Sequence, residues 1–339
     1  MNATSIADQS ALQAIDCIFC GPGAAAPVVI HENGFDGRKC QDCGLIFISP
    51  RPSLAQIIDL YGHDDAHVPA QSHLAASFSK RLYARHSLSL LRRHKTAGDV
   101  LEIGAGGGFF LDEARKVGFN PFAIEFNGKQ SEHMRATLGI PCVGKPLADD
   151  PFPGQSFDVI YHCDVVSHFY QPLDEFQAFH KALKRDGLLM FETGNLGDVH
   201  PRHLRLFRRF QYPDHLFFFS TENISHLLEK AGFELIATYR YSILVDIWID
   251  RVRAKARRVA RRLLGSDGQP RAQAASVVAP AASGRPASVH GSALVRLIKM
   301  ADQYANYLVR YRLGRWLPKG DRPQSMIVVA RKKHGGPEA

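Results

Sequence analysis

The 339-residue chain is 45% hydrophobic and 22% charged, which excludes a disordered or collagen-like polymer and leaves material for one large domain with additions, or for two domains. Lys and Arg number 42 against 33 Asp and Glu, a formal charge of +9; such an excess favours polyanionic partners only where it is gathered on one surface. Seven of the cations, Arg251, Arg253, Lys255, Arg257, Arg258, Arg261 and Arg262, stand together with no acid among them, so the rest of the chain is nearly neutral.

The first residues, MNATSIADQS, hold neither a basic leader nor an apolar stretch, and no signal peptide is expected. No uninterrupted apolar run approaches the roughly 18 residues of a membrane span; the longest, around 241–249, is broken by Asp246. The expected location is the cytoplasm, where paired cysteines point to a metal before a disulfide. Two such pairs, Cys17-x-x-Cys20 and Cys40-x-x-Cys43, stand 19 residues apart, each followed by a glycine, Gly21 and Gly44. This is zinc-ribbon spacing. Four thiolates close a tetrahedral shell around Zn²⁺ and leave no open position, which assigns the metal to folding and not to chemistry.

Residues 1–50 are therefore expected to form a ribbon region and 51–96 a helical connector, with apolar residues at helical spacing in Leu54, Ile57, Ile58 and Tyr61 and then in Leu82, Leu90 and Leu91. Strand-like runs follow at 100–103, 121–125, 157–163, 188–193 and 234–241. Helical stretches alternate with them at 108–117, 129–138, 173–183 and 221–231. Such alternation predicts an α/β fold with a parallel sheet wrapped by helices. From residue 243 to 323 the pattern changes to an insertion: an amphipathic basic helix over 251–262, a loop rich in Ala, Ser, Pro and Gly over 266–290, and a second apolar stripe of Leu294, Leu297, Ala301, Tyr304, Leu308 and Tyr311. The basic helix reads either as a surface for anionic membranes or as a solvated face packed on the second helix as a hairpin. SMIVVARKK closes the sheet, so the main α/β domain is expected over 97–242 and 324–333.

The stretch VLEIGAGGGFF follows the first strand of this domain and opens a helix, the place where open α/β sheets bind nucleotides. Gly104, Gly106, Gly107 and Gly108 let the backbone approach a ligand. The dinucleotide fingerprint would place Gly or Ala where Phe109 stands, and Glu102 would repel a pyrophosphate. Glu125, 21 residues beyond Gly104, stands near the distance at which an acid meets ribose hydroxyls. These signals select a nucleoside without phosphates.

At Glu102-x-Gly104-x-Gly106, Glu125, DPFPGQSFDVIYHCDVVSHFYQP and FHKALKRDGLLMFETGN, the sequence resembles the class I S-adenosylmethionine-dependent methyltransferases. The resemblance covers about 95–241 and resumes at 325–331. It implies a seven-stranded Rossmann-like sheet with its last strand antiparallel. It also implies that S-adenosylmethionine is held by Glu102 at the amino group, by Gly104, Ala105 and Gly106, by Glu125 at the ribose, and by Leu147, Ala148 and Asp149 along the adenine. Pro146 stands where many relatives carry an acid. Asp158 reads as fold-supporting.

Where the acceptor is a hydroxyl, methyl transfer needs a base. His168 and His215 lie where this fold puts acceptors and are the candidate catalytic residues; Tyr161, His162, Tyr170, Tyr212 and Asn195 are secondary pocket candidates. A four-cysteine ribbon before this domain resembles bacterial methyltransferases of sugars and other small or lipid-linked metabolites, which implies a small-molecule, nucleotide-sugar or glycan acceptor. Ribosomal RNA methyltransferases with a zinc ribbon, and a non-catalytic membrane-associated protein that keeps the fold, are the alternatives. The basic tract lacks the aromatic stacking groups of a nucleic-acid surface, Trp248 being its one neighbouring ring. A homo-oligomer is compatible with the sequence.

Overall fold

The structure, a computed structural model, describes residues 12–62, 77–263 and 293–333, leaving aside the side chains of 59–62, 257–258, 260–263 and 293–294. The chain opens with three short strands, β1 (Val28–Glu32), β2 (Phe35–Lys39) and β3 (Ile46–Ile48). Asn33 and Gly34 join the first two with φ of 53° and 83°, the pair of left-handed residues that a two-residue hairpin turn demands. Helices α1 (Leu54–Gly62) and α2 (Ser77–Leu91) follow.

The alternating region then runs β4 (Gly98–Ile103), α3 (Phe109–Arg115), β5 (Phe119–Ile124), α4 (Gly128–His133) continued by a π-helical turn to Leu138, β6 (Cys142–Val143), a 3₁₀ turn Leu147–Asp149, β7 (Phe157–Cys163), α5 (Pro172–Ala182) and β8 (Leu183–Gly194). After β8 come α6 (Pro201–Leu204), β9 (Phe217–Phe218), α7 (Thr221–Lys230) and β10 (Phe233–Ser242). The insertion holds α8 (Leu244–Leu263) and α9 (Ala293–Tyr307), the latter prolonged by a π-helical turn Leu308–Leu313, and β11 (Gln324–Lys332) ends the sheet. The loop expected over 266–290 lies outside the described residues.

Seven strands form one sheet in the order β10-β11-β8-β7-β4-β5-β6. β4 pairs in parallel with β5 and β7, and β7 with β8, whereas β11 runs antiparallel between β8 and β10. Residues 100–103 of β4 are buried on both sides, as expected of a central parallel strand covered by helices on both faces. The chain leaves β4 in both directions across the sheet, so the crevice at the carboxyl ends of β4, β5 and β7 is the topological switch point where such sheets bind ligands.

One face of the sheet packs on α2, α3 and the end of α9 through Leu88, Leu91, Phe110, Met134, Tyr161 and Tyr311. The other face packs on α5 and α7 through Phe176, Phe179 and Leu227, and that core is continuous with Phe35, Ile46 and Phe47 of the ribbon. The continuity has a backbone cause. β3 pairs with β9, Ile46 opposite Phe218 and Phe47 opposite Phe217, to make a second sheet in the order β1-β2-β3-β9. Asp158 accepts from the backbone N–H of Asp99 at 2.9 Å and pairs with Lys95 and Lys184 at 2.9 and 2.7 Å, tying three elements together at the foot of the sheet.

Candidate functional site

The glycine-rich turn sits in the switch-point crevice. Gly104 and Gly106 have φ of 68° and 56°, left-handed values that most side chains resist, and a Cβ on Gly104 would stand 2.9 Å from Val165 Cγ2. Glu102 is 5% exposed, and its Oε2 has no hydrogen-bond partner among the described residues. Burial, and then the charge of Glu125, hold its carboxyl well above the usual carboxylate range. Glu125 follows β5 directly; its Oε2 accepts from Gly106 N at 2.7 Å and its Oε1 from Asn127 N at 2.8 Å. It therefore fixes the turn, with lone pairs left for a further donor, and burial raises its pKa too. Gln130 Oε1 is a second buried oxygen without a partner, 3.1 Å from where a Cβ on Gly106 would stand.

Buried acceptors without donors call for an explanation. Around a turn too tight for side chains they suit a ligand that brings an ammonium group and hydroxyls, as S-adenosylmethionine does. Ala105, also in the turn, is buried, and its N–H reaches Ile124 O at 3.3 Å. Leu147, Ala148 and Asp149 form the 3₁₀ turn after β6, with Leu147 half-buried and Asp149 exposed.

Asp164, next in the chain to the Val165 that closes on Gly104, lines a second space. This second cleft is lined by Asp164 and Ser167 after β7, by Thr193 to Leu196 at and after the end of β8, and by Gln324 and Ser325 at the start of β11. Phe207, Phe210, Phe217, Phe218 and Phe219 make its apolar wall, with His215 among them, and among the described residues no lysine or arginine lines it.

His168 Nδ1 lies 2.9 Å from Asp214 Oδ1 and 3.1 Å from the Asp214 carbonyl. A carboxylate and a carbonyl both accept, so Nδ1 carries the proton and Nε2 is left basic. Burial opposes a charge on His168, but the Asp214 carboxylate outweighs it and holds the imidazole pKa above its ordinary value. The His215 ring stands edge-on to that of His168 with centroids 4.6 Å apart, and donor atoms of His168, Asp214 and His215 all lie within 4.8 Å of one another.

Behind the cleft floor, Glu192 accepts from Arg310 at 2.6 Å and from Tyr311 at 3.0 Å, and also from Ser325. Arg310 and Tyr311 come from the π-helical turn of the insertion, so this segment completes the floor from outside the regular sheet. Arg310 and Glu192 are 5% and 2% exposed; removing one partner of such a pair costs about 3–5 kcal/mol because the other charge is stranded. Asp164, beside them, is pushed up to about 6 by burial and by Glu192.

The secondary candidates fall differently. Asn195 lines the cleft. Tyr161 is stacked on Phe110 in the core at 3.7 Å, and His162, fully buried, is stacked on Phe191; both serve packing, because β7 is covered on its two faces. Tyr170 binds Gln13 and Pro52 through its hydroxyl, and Tyr212 is buried against Phe218 and Gly37. Sequence reasoning passed over Asp164, Asp214, Glu192 and Arg310. Asp164 alone carried a local signal, its place directly after a strand; the others are gathered by the tertiary fold.

Cys17, Cys20, Cys40 and Cys43 bring their sulfurs within 4.8 Å of one another, and none is in a disulfide. Burial first, with Cys43 adding to it, pushes the Cys17 thiol up to about 11; a coordinated cation reverses this, since a ligating thiol is deprotonated. Four sulfurs so placed fit the closed shell of a structural zinc ion. This knuckle touches the rest of the site. The Cys43 carbonyl accepts from Ser220 Oγ at 3.3 Å and Asn223 Nδ2 at 3.0 Å, the two residues that cap α7. Glu32, at the tip of the β1–β2 hairpin, accepts from the N–H groups of Phe210 and Tyr212.

Residues 75–238 match a family model described as a methyltransferase domain. A protein of Mycolicibacterium smegmatis described as a probable S-adenosylmethionine-dependent methyltransferase is 27% identical over 157 residues, which cover 45% of this chain and 59% of that one. A Mycobacterium tuberculosis protein of the same description is 30% identical over 101 residues, covering 30% of this chain and 37% of that one. The matched part thus spans less than two thirds of the length of these curated relatives. Among solved structures, the cyclopropane synthase MmaA2 of Mycobacterium tuberculosis superposes with a TM-score of 0.44 at 15% identity, covering 74% of this chain and 83% of that chain. A methyltransferase of Aquifex aeolicus gives 0.36 at 17% identity, covering 45% and 81%. Residues 75–238 thus carry a methyltransferase domain similar to those of S-adenosylmethionine-dependent methyltransferases.

Proposed function

We propose that this chain transfers the methyl group of S-adenosylmethionine to a hydroxyl of an acceptor with an apolar body, of the lipid-linked or lipid-like glycan class. The observation that carries the reading is the phenylalanine-walled cleft, which is lined by Asp164, the chain neighbour of the Val165 that packs at the glycine turn, and holds imidazole and carboxylate groups among its apolar rings. A nucleotide sugar would bring a pyrophosphate into a cleft that no lysine or arginine lines among the described residues.

S-adenosylmethionine supplies an electrophilic methyl group on a sulfonium. Glu102 and Glu125 would hold its amino group and ribose, and the glycines would let the backbone lie against it. Much of the rate then comes from aligning the acceptor oxygen and excluding water, which an apolar cleft does well. The proton of the hydroxyl leaves to the imidazole pair: His215 lines the cleft and His168, oriented through Nδ1 by Asp214, stands against it. A positioned base contributes about 10² to 10⁴ in rate. Zn²⁺ on the four cysteines has no open position and supports the cleft wall.

The test is incubation with methyl-labelled S-adenosylmethionine and separate pools of solvent-extracted lipids, aqueous metabolites and RNA. Label is expected in the lipid pool. Label confined to RNA or to sugar nucleotides would sink the acceptor assignment.

A further inference from the structure

The cleft opens beside a surface that the transfer reaction leaves unused. Phe207 and Phe210 turn into the cleft, while Arg202, Arg205, Arg208 and Arg209 of the same segment are exposed. Arg251 of α8 donates to the Arg205 carbonyl at 3.0 Å, and Ile243, which precedes α8, lines the cleft itself. The amino half of α8 is thus anchored at the cleft mouth.

Along α8, Trp248, Val252, Lys255 and Val259 recur at helical spacing and share one side. All four are exposed, Trp248 by 66% and the two valines by 47% each. The hairpin alternative would have buried this face on α9. Instead the two helices meet through Arg253, which reaches Asp302 and Asn306, and of the α9 stripe Leu297 and Tyr304 face outward, 63% and 47% exposed, with only its end at Tyr311 in the core.

From this juxtaposition we infer that α8 and the arginine segment dock on an anionic lipid bilayer, and that the acceptor enters the cleft from that leaflet. The inference deepens the acceptor assignment above and rests on it. Charge selects the occupant. The sequence over 251–262 carries seven cations and no acid, so a second copy placed face to face would set like charges against each other, whereas an anionic leaflet complements them. The apolar centre with an exposed tryptophan suits the interfacial layer, where an indole ring is favoured.

The test uses the full chain with vesicles of phosphatidylcholine alone and of phosphatidylcholine mixed equally with phosphatidylglycerol. Trp248 and Trp316 are the two tryptophans, so Trp316→Phe leaves an emission that reports on α8 alone. The expected result is sedimentation with the anionic vesicles only, reversed by salt, and a blue shift of the Trp248 emission. Each basic residue near an anionic leaflet is worth about fivefold in partitioning, so Arg251→Glu with Lys255→Glu should weaken binding by about 25-fold or more. Calorimetric affinity for S-adenosylmethionine should stay unchanged in that variant, which shows that it is folded. Equal binding to both vesicle types, or undiminished binding by the charge-reversed variant, overturns the inference. So does a dimer in light scattering that Trp248→Ser dissociates, which would give the face to a second copy. Loss of vesicle binding with labelled lipid still formed would refute the docking and leave the transfer reading standing; vesicle binding without any labelled product would refute the transfer reading.

Discussion

Two buried carboxylates, Glu102 and Glu125, flank the glycine turn in different ways: Glu102 Oε2 has no donor among the described residues, and Glu125 is tied to the turn it shapes. Their place beside the turn was legible because their distances from Gly104 along the chain are fixed by strand and helix lengths. Asp214 was not, since its bond to His168 spans 46 residues and depends on how the loop after β8 folds back. That pair gives a prediction with a sign. His168 has a folded pKa above its unfolded value, so its ionic contribution to stability is present below the unfolded pKa and is lost as pH rises through the folded one. Asp214→Asn should therefore lower the His168 pKa in an imidazole NMR titration, because burial then acts unopposed. It should destabilise the protein more at pH 5.5 than at pH 8 and reduce transfer by about tenfold or more. An unshifted titration would mean that Asp214 does not govern this imidazole.

At the scale of elements, the ribbon and the cleft are one construction. The cysteine spacing announced the four-sulfur cluster, but the strand that joins the ribbon to the cleft, β9, has two residues inside the run LFFFS, too short for any periodicity to mark. The sheet continues from β2 through β3 to β9, so Phe217 and Phe218 hold their places in the cleft wall through the ribbon's backbone. Structural zinc contributes about 10–16 kcal/mol to small ribbon-like peptides, more than a local unit of a domain can lose and stay ordered. Metal analysis of the purified chain should find about one zinc. Replacing Cys17 and Cys40 by serine should release it and remove amide-exchange protection from β3 and β9, while β4 and its glycine turn stay protected. Retained zinc in that variant would refute the ligand set; retained protection at β9 would separate the ribbon from the cleft.

Across the whole molecule, the positive charge that composition alone spreads over 339 residues is gathered largely on one helix beside the cleft mouth. The α/β fold class was legible from alternating strand and helix patterns, and the observed sheet follows it. The insertion was legible as two helices but not as part of the site, because Arg310 and Tyr311 reach Glu192 only after the π-helical turn swings them under β8 and β11. No helix among the described residues is long and apolar enough to cross a membrane, so a bilayer would be met from its surface. All of this stands on the crevice between β4 and β5. Titration of S-adenosylmethionine into the purified chain by calorimetry tests that most directly. Binding at one site per chain is predicted, weakened about tenfold or more by Glu102→Gln and by Glu125→Ala, the loss expected for a hydrogen bond to a charged group. No heat of binding in the native chain, or an affinity that both substitutions leave unchanged, would contradict it.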